Sequence, residues 1–290
     1  MTATLDQTLS GDLRALLPSA SVEISSGGHQ LAELSERFSP GIDVSITFLP
    51  GDNFWHNAET AAAVRRAGFN PVPHIAAREI ASREALDDFF RRLRGEADVH
   101  RLLLIAGDVA IAKGPFKSSR DVASSGLIEA HGFPRLTVAG HPEGHPYLDA
   151  PAVTNSLAAW RDWAGARGIA LDVVTQFCFE AAPILNWLGG LRTAGVDLPV
   201  IVGLAGPATP ATLMKFALRC GIGNSIRAVR SQIGRYGRLL TETGPDGVFR
   251  ALAAAPKAAT AEVKGFHVFP FGGLKKSALW LNEHAPRQNP

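Results

Sequence analysis

Hydrophobic and polar positions along the chain form two kinds of segment that alternate. Short runs rich in β-branched and aromatic residues predict eight strands, at Ser21–Ser25, Asp43–Pro50, Phe69–Ala76, Arg101–Asp108, Arg135–Gly144, Leu171–Glu180, Leu198–Pro207 and Gly265–Gly272. Apolar residues spaced three and four apart predict amphipathic helices at Trp55–Ala67, Ser82–Arg94, Ala152–Ala166, Ala181–Ala194 and Thr209–Cys220. Strands that alternate with helices favour a parallel sheet.

The number and spacing of these units predict the fold class. Eight strand–helix units within 290 residues fit a (β/α)8 TIM barrel, whereas a doubly wound sheet more often begins with a Gly-rich turn, and GxGxxG does not occur. We expect a single α/β domain over residues 1–290, with an N-terminal helical extension at 1–17 and a flexible tail at 284–290. The long interval between strands seven and eight predicts an additional helix at Gly223–Leu240, followed by a polar turn at Thr241–Gly247.

Composition and charge narrow the class of partner. Hydrophobic residues make up 46% of the chain and the net charge is +2, so a large core is expected and a strong electrostatic field is not. Nucleic acid and membranes are therefore not expected partners. No apolar run reaches the roughly 20 residues that span a bilayer, and Met1–Leu17 lacks the apolar stretch of a signal peptide. Cys178 and Cys220 fit buried free thiols of a reducing compartment, which favours a cytoplasmic protein.

Polar side chains occur near the C-terminal ends of the predicted strands, where the active sites of such barrels lie. They come from six strands and are, in chain order, Glu23, Thr47, His74, Asp108, His141, Glu143, His145 and Gln176. Any single one could be a hydrogen-bonded polar group of the core, and this alternative stays open for Thr47 and Gln176. Their shared position at the strand ends favours one common site.

Two carboxylates among these residues are candidates for chemistry. Glu23 lies between Val22 and Ile24, and a buried charged carboxylate must either pair with a cation or take up a proton. It is therefore a candidate general acid, with a salt bridge across the barrel as the alternative. Asp108 follows Gly107, which lets the backbone approach a flat ligand, and capping of the next helix is its alternative.

The segment His141–Pro146 contains His, Glu and His, three residues of types that bind metals. Two prolines interrupt the segment, and no helix presents an HExxH pair on one face. We therefore expect no metal. The prolines favour a rigid loop that holds an imidazole towards a ligand.

Segments around these residues resemble the 5,10-methylenetetrahydrofolate reductase family. They are Ser21-Val22-Glu23, Val44-Ser45-Ile46-Thr47, Pro73-His74, Gly107-Asp108, Ala139 to Pro146, Thr175 to Phe179 and Phe266-His267. The resemblance keeps the same order from strand one to strand eight and covers most of the chain. It implies a (β/α)8 barrel, and an oxidoreductase of one-carbon metabolism and methionine biosynthesis. In the implied reaction, NADH or NADPH reduces the methylene bridge of folate through a bound FAD.

The resemblance also implies roles for single residues. Glu23 matches a catalytic glutamate that protonates folate during ring opening, and Asp108 matches a catalytic aspartate beside the flavin and the pterin. The implied cofactor-binding residues are Thr47, His74, Asp108, His141, His145 and Arg161. The implied substrate-binding residues are Gln176 and Phe216, and for Phe216 a helix position facing the core is the alternative.

Several positions depart from the family pattern. Ala106 stands where the family commonly has an arginine that holds the flavin diphosphate, and losing such a contact weakens binding by about 1.5–3 kcal/mol. Arg161, on the helix after strand five, could partly compensate. His141-Pro142-Glu143 replaces Tyr-Pro-Glu, and Phe269-Pro270-Phe271-Gly272 replaces Tyr-Thr-Leu-Asn.

These departures leave two alternatives to a flavin-dependent reductase open. One is a divergent folate oxidoreductase that works without flavin or in the oxidation direction. The other is a non-catalytic barrel that binds folate or flavin, against which the presence of Glu23 and Asp108 argues. Folate is the expected small-molecule partner, and a homo-oligomer stays open beside a monomer.

Overall fold

A computed structural model describes residues 11–49, 51–145, 148–219 and 242–286. Its eight strands form a closed barrel in chain order. The strands are β1 (Ser21–Ile24), β2 (Asp43–Ile46), β3 (Asn70–Ala76), β4 (Arg101–Ile105), β5 (Arg135–Gly140), β6 (Ala170–Thr175), β7 (Val200–Ala205) and β8 (Val263–Phe269). Pairing is parallel from β1 through to β5 and between β7 and β8. The predicted (β/α)8 TIM barrel is confirmed.

Helices follow the strands in the alternating order that the sequence predicts. They are α1 (Gly11–Arg14), α2 (Leu31–Arg37), α3 (Phe54–Arg66), α4 (Arg83–Gly95), α5 (Ser119–Ser124), α6 (Leu127–Ala130), α7 (Ala150–Gly165), α8 (Ala181–Thr193), α9 (Pro210–Arg219), α10 (Asp246–Ala254) and α11 (Leu274–His284). The additional helix predicted at Gly223–Leu240 lies outside the described residues. No helix in the described part of the chain is both long enough and apolar enough to cross a membrane.

The chain divides into two compact units. The β1–β4 unit comprises Ser21–Ala139 and Asp162–Val173. The β7–β8 unit comprises the described residues of the ranges 1–20, 140–161 and 174–290. The prediction of a single domain over residues 1–290 stays a prediction.

In the β1–β4 unit, the strand face turned towards the helices is apolar and fully buried. It is formed by Val22, Ile24, Val44, Ile46, Ile75, Leu102 and Leu104. Helix α3 packs against β2 and β3 on this side. Asn53 and Ser82 accept hydrogen bonds from the backbone N–H groups of Trp55 and Ala85, and these caps set the beginnings of α3 and α4.

A buried ion network ties together the N-terminal ends of strands in the same unit. The Arg101 guanidinium, 8% exposed, donates to Asp43 Oδ2 at 2.5 Å and to Thr137 Oγ1 at 2.7 Å, and forms an ion pair with Asp172. Thr137 Oγ1 in turn donates to Asp172 Oδ1 at 2.7 Å. Burial by itself lowers the pKa of Arg101, but the carboxylates of Asp172 and Asp43 raise that pKa above its ordinary value.

The β7–β8 unit contains an aromatic and alanine-rich core. Phe177, Ala205, Ala208, Leu213 and Ala217 are buried there, and Phe179, Phe216, Phe269 and Phe271 pack against them. Two glycines allow the backbone to approach closely, because a Cβ on Gly203 would lie 2.3 Å from Thr175 O and one on Gly272 would lie 2.0 Å from Pro207 O. Any side chain at either position would displace the neighbouring backbone.

The C-terminal helix α11 is anchored at its last residue. The His284 ring stacks on Trp280 with ring centroids 4.6 Å apart, and His284 Nε2 lies 3.0 Å from Asp246 Oδ1. These two contacts hold the His284 imidazole at the end of α11, and the flexible tail expected at 284–290 stays a prediction. Residues 287–290 lie outside the described part of the chain.

Candidate functional site

Glu23 and Thr47 share one face of neighbouring strands. Glu23 pairs with Ser45 across β1 and β2. The Thr47 N–H donates to Ile24 O at 2.9 Å, so the ladder continues one residue past the end of β2. Because residues two apart in a strand point to the same side, Thr47 lies on the face of Ser45 and Glu23. This face is opposite the apolar, helix-covered one.

His74 extends the same face onto β3. Ile46 pairs with Pro73, so the following residues, Thr47 and His74, lie side by side. With the usual strand spacing, the Cα atoms of Thr47 and His74 are roughly 5 Å apart, and those of Glu23 and Thr47 roughly 8 Å apart. The structure therefore brings together three of the residues that the sequence predicts for the site.

The Thr47 side chain has an unused hydrogen-bonding group. Its Oγ1 is buried and has no hydrogen-bond partner among the described residues, whereas the Thr47 carbonyl accepts from Asn57 Nδ2 at 3.2 Å. A buried hydroxyl without a partner costs about 1–3 kcal/mol. This arrangement fits a hydroxyl that hydrogen-bonds to a polar atom of a ligand.

Asp108 lies on the loop that follows β4, with its side chain exposed. Gly107 has a φ of 92°, and a Cβ there would lie 3.4 Å from the Ala76 side chain at the end of β3. Helix α5 is capped by Ser118, which forms a capping box with Asp121. The alternative that Asp108 caps the next helix is therefore wrong. The Asp108 carboxylate is available to solvent or to a ligand.

Cations beside the β4 loop are already engaged. The Arg78 guanidinium donates to the carbonyl of Lys117 at 2.9 Å and to that of Val109 at 3.4 Å. Lys113 Nζ forms an ion pair with the buried Glu79 carboxylate at 2.5 Å. These contacts fix the loop after β4 to the turn after β3, and they engage both cations.

His141 and His145 come together in the β7–β8 unit. Their rings meet edge to face with centroids 4.7 Å apart. Burial, and next the charge of His145, lower the pKa of His141 to about 4, so its imidazole is neutral at pH 7. The Gln176 N–H donates to Gly140 O at 2.9 Å, which places Gln176 next to the end of β5.

Glu143, between the two histidines in sequence, contacts a thiol. Cys178 is buried and free, which confirms the prediction for this cysteine, whereas Cys220 lies outside the described residues. Burial, together with the charge and hydrogen bond of Glu143, raises the pKa of Cys178. Within the described ranges, no group of three or more His, Cys, Asp or Glu side chains is placed to hold a metal ion.

Arg161 is not brought together with these residues. It is the twelfth residue of α7, so it lies roughly 16 Å along the helix from the end that follows the His141–His145 loop. There its Nη1 donates to Gly195 O at 2.5 Å and lies 3.9 Å from Asp197 Oδ1. This engagement beyond the end of α8 does not fit the predicted contact with a cofactor diphosphate.

Phe216 packs within its own unit. Its ring stacks on Phe271 with centroids 4.1 Å apart and 18° between the planes. This contact agrees with the alternative stated for Phe216, in which it is a helix residue that faces the core. Stacking on a ligand, which the family resemblance implies, would use the other face of the ring.

The residues at the positions that the family resemblance implies do not fit the diphosphate of a resident FAD. Ala106 offers no charge, Arg78 and Lys113 are engaged, and Arg161 lies at the far end of its helix. The Thr47 hydroxyl and the Gly107 backbone suit a flat polar ring, but the pterin of a folate has such a ring without a diphosphate. The predicted FAD therefore finds no charge-assisted contacts of its own among these residues.

Sequence reasoning missed Trp187 and Glu180, which line a cleft between α7 and α8. The signal that could have found this surface is the Gly189-Gly190 pair in the middle of a predicted helix. Glycine is unfavourable in a helix interior, and a mid-helix glycine often marks a close approach of another group.

Comparisons with known proteins agree with the sequence resemblance. No protein-family model matches the chain. Methylenetetrahydrofolate reductase 2 of Saccharomyces cerevisiae (strain ATCC 204508 / S288c) is 32% identical over 82 residues, which are 28% of this chain but only 13% of that protein.

A solved structure shows the same fold over nearly the whole chain. An uncharacterized protein from Clostridium thermocellum that binds two copies of 5-methyl-5,6,7,8-tetrahydrofolic acid superposes with a TM-score of 0.57, at 13% identity, over 92% of this chain and 93% of its own. At that identity the likeness concerns the fold alone. The match to the yeast protein confirms that this chain is similar in sequence to the methylenetetrahydrofolate reductase family.

Proposed function

We propose that this chain is a folate oxidoreductase that interconverts 5,10-methylenetetrahydrofolate and 5-methyltetrahydrofolate, with hydride passing directly between folate and NADH or NADPH. The observation that carries the proposal is the common face of Glu23, Thr47 and His74 on three adjacent strands. Asp108 follows the fourth strand of the same unit. The similarity to a yeast reductase and the methyltetrahydrofolate bound by a protein of the same fold support folate as the substrate.

Glu23 acts as the general acid in this proposal. Its carboxyl group donates a proton to N10 of the folate as the bond between N10 and the bridging carbon breaks. This step leaves a cationic iminium between N5 and that carbon. Hydride from C4 of the dihydronicotinamide then adds to the carbon, which gives the 5-methyl group and the oxidised nicotinamide. General acid catalysis of this kind contributes a factor of about 10²–10⁴.

The other proposed site residues bind the folate and stabilise the iminium. The Asp108 carboxylate opposes the positive charge of the iminium, although its exposure to water weakens the effect. The buried Thr47 hydroxyl and the His74 imidazole provide polar contacts for the folate ring. Gln176, at the end of β6, stays a proposed folate contact.

A resident flavin is not part of the proposal. FAD must stay bound through every cycle, whereas Ala106 carries no charge and Arg161 donates to Gly195 O. A nicotinamide co-substrate leaves after each turnover, so weaker contacts suffice for it. Hydride transfer between two carbon centres needs no relay when both rings lie in one pocket.

The test combines a spectrum with an assay on the purified chain. We expect no flavin absorbance, and we expect oxidation of NADH or NADPH that depends on added 5,10-methylenetetrahydrofolate. FAD at one molecule per chain would overturn the flavin-free route and restore the flavin-dependent reductase. Absence of turnover in both directions, with either nicotinamide, would overturn the proposal that this chain is an enzyme. Calorimetric folate binding in that case would identify a non-catalytic folate-binding barrel.

A further inference from the structure

The loop between β4 and α5 (the β4 loop, residues 106–118) carries Asp108 near its beginning. Its middle is apolar and faces solvent, with Ile111 84% exposed. A loop of this length without secondary structure is uncommon in a compact domain, and such loops often carry function. A carboxylate on an exposed loop keeps a fixed position only if the loop itself is held in place.

The turn after β3 contacts both legs of the β4 loop. The Arg78 N–H donates to Ala106 O at 2.9 Å on the outgoing leg, and the Lys113 N–H donates to Arg78 O at 2.8 Å on the returning leg. A Cβ on Gly114 would lie 2.2 Å from Ala81 O, so the returning leg lies directly against the turn. The two legs of the loop are therefore joined through one turn.

Glu79, in the same turn, has a buried carboxylate. Its side chain is only 2% exposed, and its Oε1 has no hydrogen-bond partner among the described residues. Lys113 Nζ lies 2.5 Å from its Oε2 and belongs to a side chain that is 51% exposed. A buried carboxylate is costly unless a cation compensates its charge. Because the β4 loop supplies this cation, the Glu79 charge favours the position of the loop that the structure shows.

Stability alone does not require a charged pair at this place. A well-packed apolar pair is often as stable as a buried ion pair, or more stable. An ion pair differs because its hydrogen bonds depend on distance and direction, so it selects one position of the loop. At the beginning of the loop, Gly107 packs next to Ala76, the last residue of β3, where a Cβ would lie 3.4 Å from the Ala76 side chain. A shift of the loop relative to the turn therefore moves Asp108 as well.

We propose that Glu79 is a positioning residue of the folate reaction, and that its ion pair with Lys113 holds the β4 loop so that the Asp108 carboxylate opposes the charge of the iminium. This inference rests on the proposed function. Glu79 does not touch the substrate in this proposal. The interaction of Asp108 with the iminium weakens as the distance between the charges increases, so a displaced loop slows the reaction without changing the reacting groups.

The test compares Glu79→Gln, Asp108→Asn and the double variant by stopped-flow measurement of hydride transfer. We expect each single change to lower the rate by about tenfold, with the KM for folate within about threefold of the original, because the iminium charge develops only during the reaction. The double variant should be within about twofold of Asp108→Asn. A residue that acts only through Asp108 has no further effect once that carboxylate is gone.

Hydrogen exchange gives a readout that does not depend on activity. We expect the amides of residues 107–116 to exchange at least about tenfold faster in Glu79→Gln and in Lys113→Gln than in the original chain. If Glu79→Gln does not fold, Lys113→Gln gives the same readouts, because the Glu79 carboxylate can then reach water as the loop opens. Lys113→Arg keeps the charge, and should keep both the exchange and the hydride-transfer rate within about threefold of the original.

A matched control removes another carboxylate of the β1–β4 unit. Glu129→Gln breaks a pair with Arg167, in which both side chains are about one-third exposed. This variant should change neither the exchange of residues 107–116 nor the hydride-transfer rate, since neither residue contacts the β4 loop or the turn after β3.

Four results would overturn the proposal. The first is unchanged exchange of residues 107–116 in both Glu79→Gln and Lys113→Gln. The second is faster exchange with an unchanged rate of hydride transfer. The third is a double variant slowed by about a hundredfold, because Glu79 would then act independently of Asp108. The fourth is the absence of turnover in the original chain, which overturns the proposed function and the role of Glu79 with it, whereas the first three leave the proposed function intact.

Discussion

Phe216 and Phe271 stack face to face, with ring centroids 4.1 Å apart and 18° between their planes. Phe271 stands in the segment where the related family has Tyr-Thr-Leu-Asn. The departure from that pattern therefore creates the partner that occupies one face of Phe216. Phe177 touches the same cluster, with its ring 4.8 Å from that of Phe271.

The pair should be energetically coupled. We expect Phe216→Ala and Phe271→Ala each to lower the free energy of unfolding, and the double variant to lose about 1 kcal/mol less than the sum of the two. Urea unfolding of the three variants and the original chain measures this coupling. Phe216→Ala combined with Phe89→Ala, a ring of the β1–β4 unit, is the control and should be additive. Additive losses in the first pair would show that the stacking does not stabilise the fold.

The Arg101 network should be essential for stability. Asp172→Asn removes the charge that pairs with a buried guanidinium, so we expect the free energy of unfolding to fall by about 3 kcal/mol. Asp88→Asn breaks an exposed ion pair with Arg91 in the same unit and should cost less than about 1 kcal/mol. Urea unfolding compares the two. Equal losses would mean that Asp43 alone suffices to balance the Arg101 charge.

The strands were predictable from sequence, but their C-terminal bounds were not. The run Leu171–Glu180 reads as one strand, yet β6 ends at Thr175. Phe177 and Cys178 lie beyond it and are only 1% and 2% exposed, because they pack into the aromatic core. Hydrophobicity reports burial, and here a buried loop continues the apolar run after the backbone has left the sheet.

The positions of the site residues were predictable where those residues lie in or directly after a strand. Alternation along β1 to β3 places Glu23, Thr47 and His74 on one face once the register is known. Arg161 shows the limit, because its position in a helix could be predicted but not its contact with Gly195. The Arg101 network was missed as well, since its partners are far apart in the chain and only the barrel brings their strands together.

Acid should destabilise the fold through His141. Its pKa is about 4 in the folded chain and about 6.5 when unfolded, so the unfolded chain takes up a proton in this window while the folded chain does not. Stability from this residue is complete above pH about 6.5, falls as the pH decreases, and is about 3 kcal/mol lower below pH about 4. The ionisable side chains of the same unit that lie around this ring are those of His145, Glu143 and Glu180.

A variant isolates the His141 contribution from those neighbours. We expect the stability difference between the original chain and His141→Gln to shift by up to about 3 kcal/mol between pH about 7 and pH about 4, in favour of the variant at the lower pH. Urea unfolding at several pH values gives this difference. If the free energy of unfolding depended on pH in the same way for both proteins, the lowered pKa of His141 would be contradicted.

The last prediction separates acid catalysis from a structural role of Glu23. Glu23→Gln keeps the size of the side chain but removes its transferable proton. We expect turnover of 5,10-methylenetetrahydrofolate with NADH or NADPH to fall by about 10²–10⁴, while folate affinity changes by less than about threefold. The free energy of unfolding should change by less than about 1 kcal/mol. Glu36→Gln, on the exposed side of α2, should leave turnover unchanged.

A structural role gives another pattern in the same measurements. If Glu23 served only to neutralise a buried partner, its loss would lower stability by several kcal/mol, and folate affinity and turnover would decline together with it. Stopped-flow absorbance of the nicotinamide gives the hydride-transfer rate, calorimetry gives the folate affinity, and urea unfolding gives the stability. A hydride-transfer rate in Glu23→Gln within about threefold of the original would exclude Glu23 as the acid, because the amide of the variant cannot supply the proton.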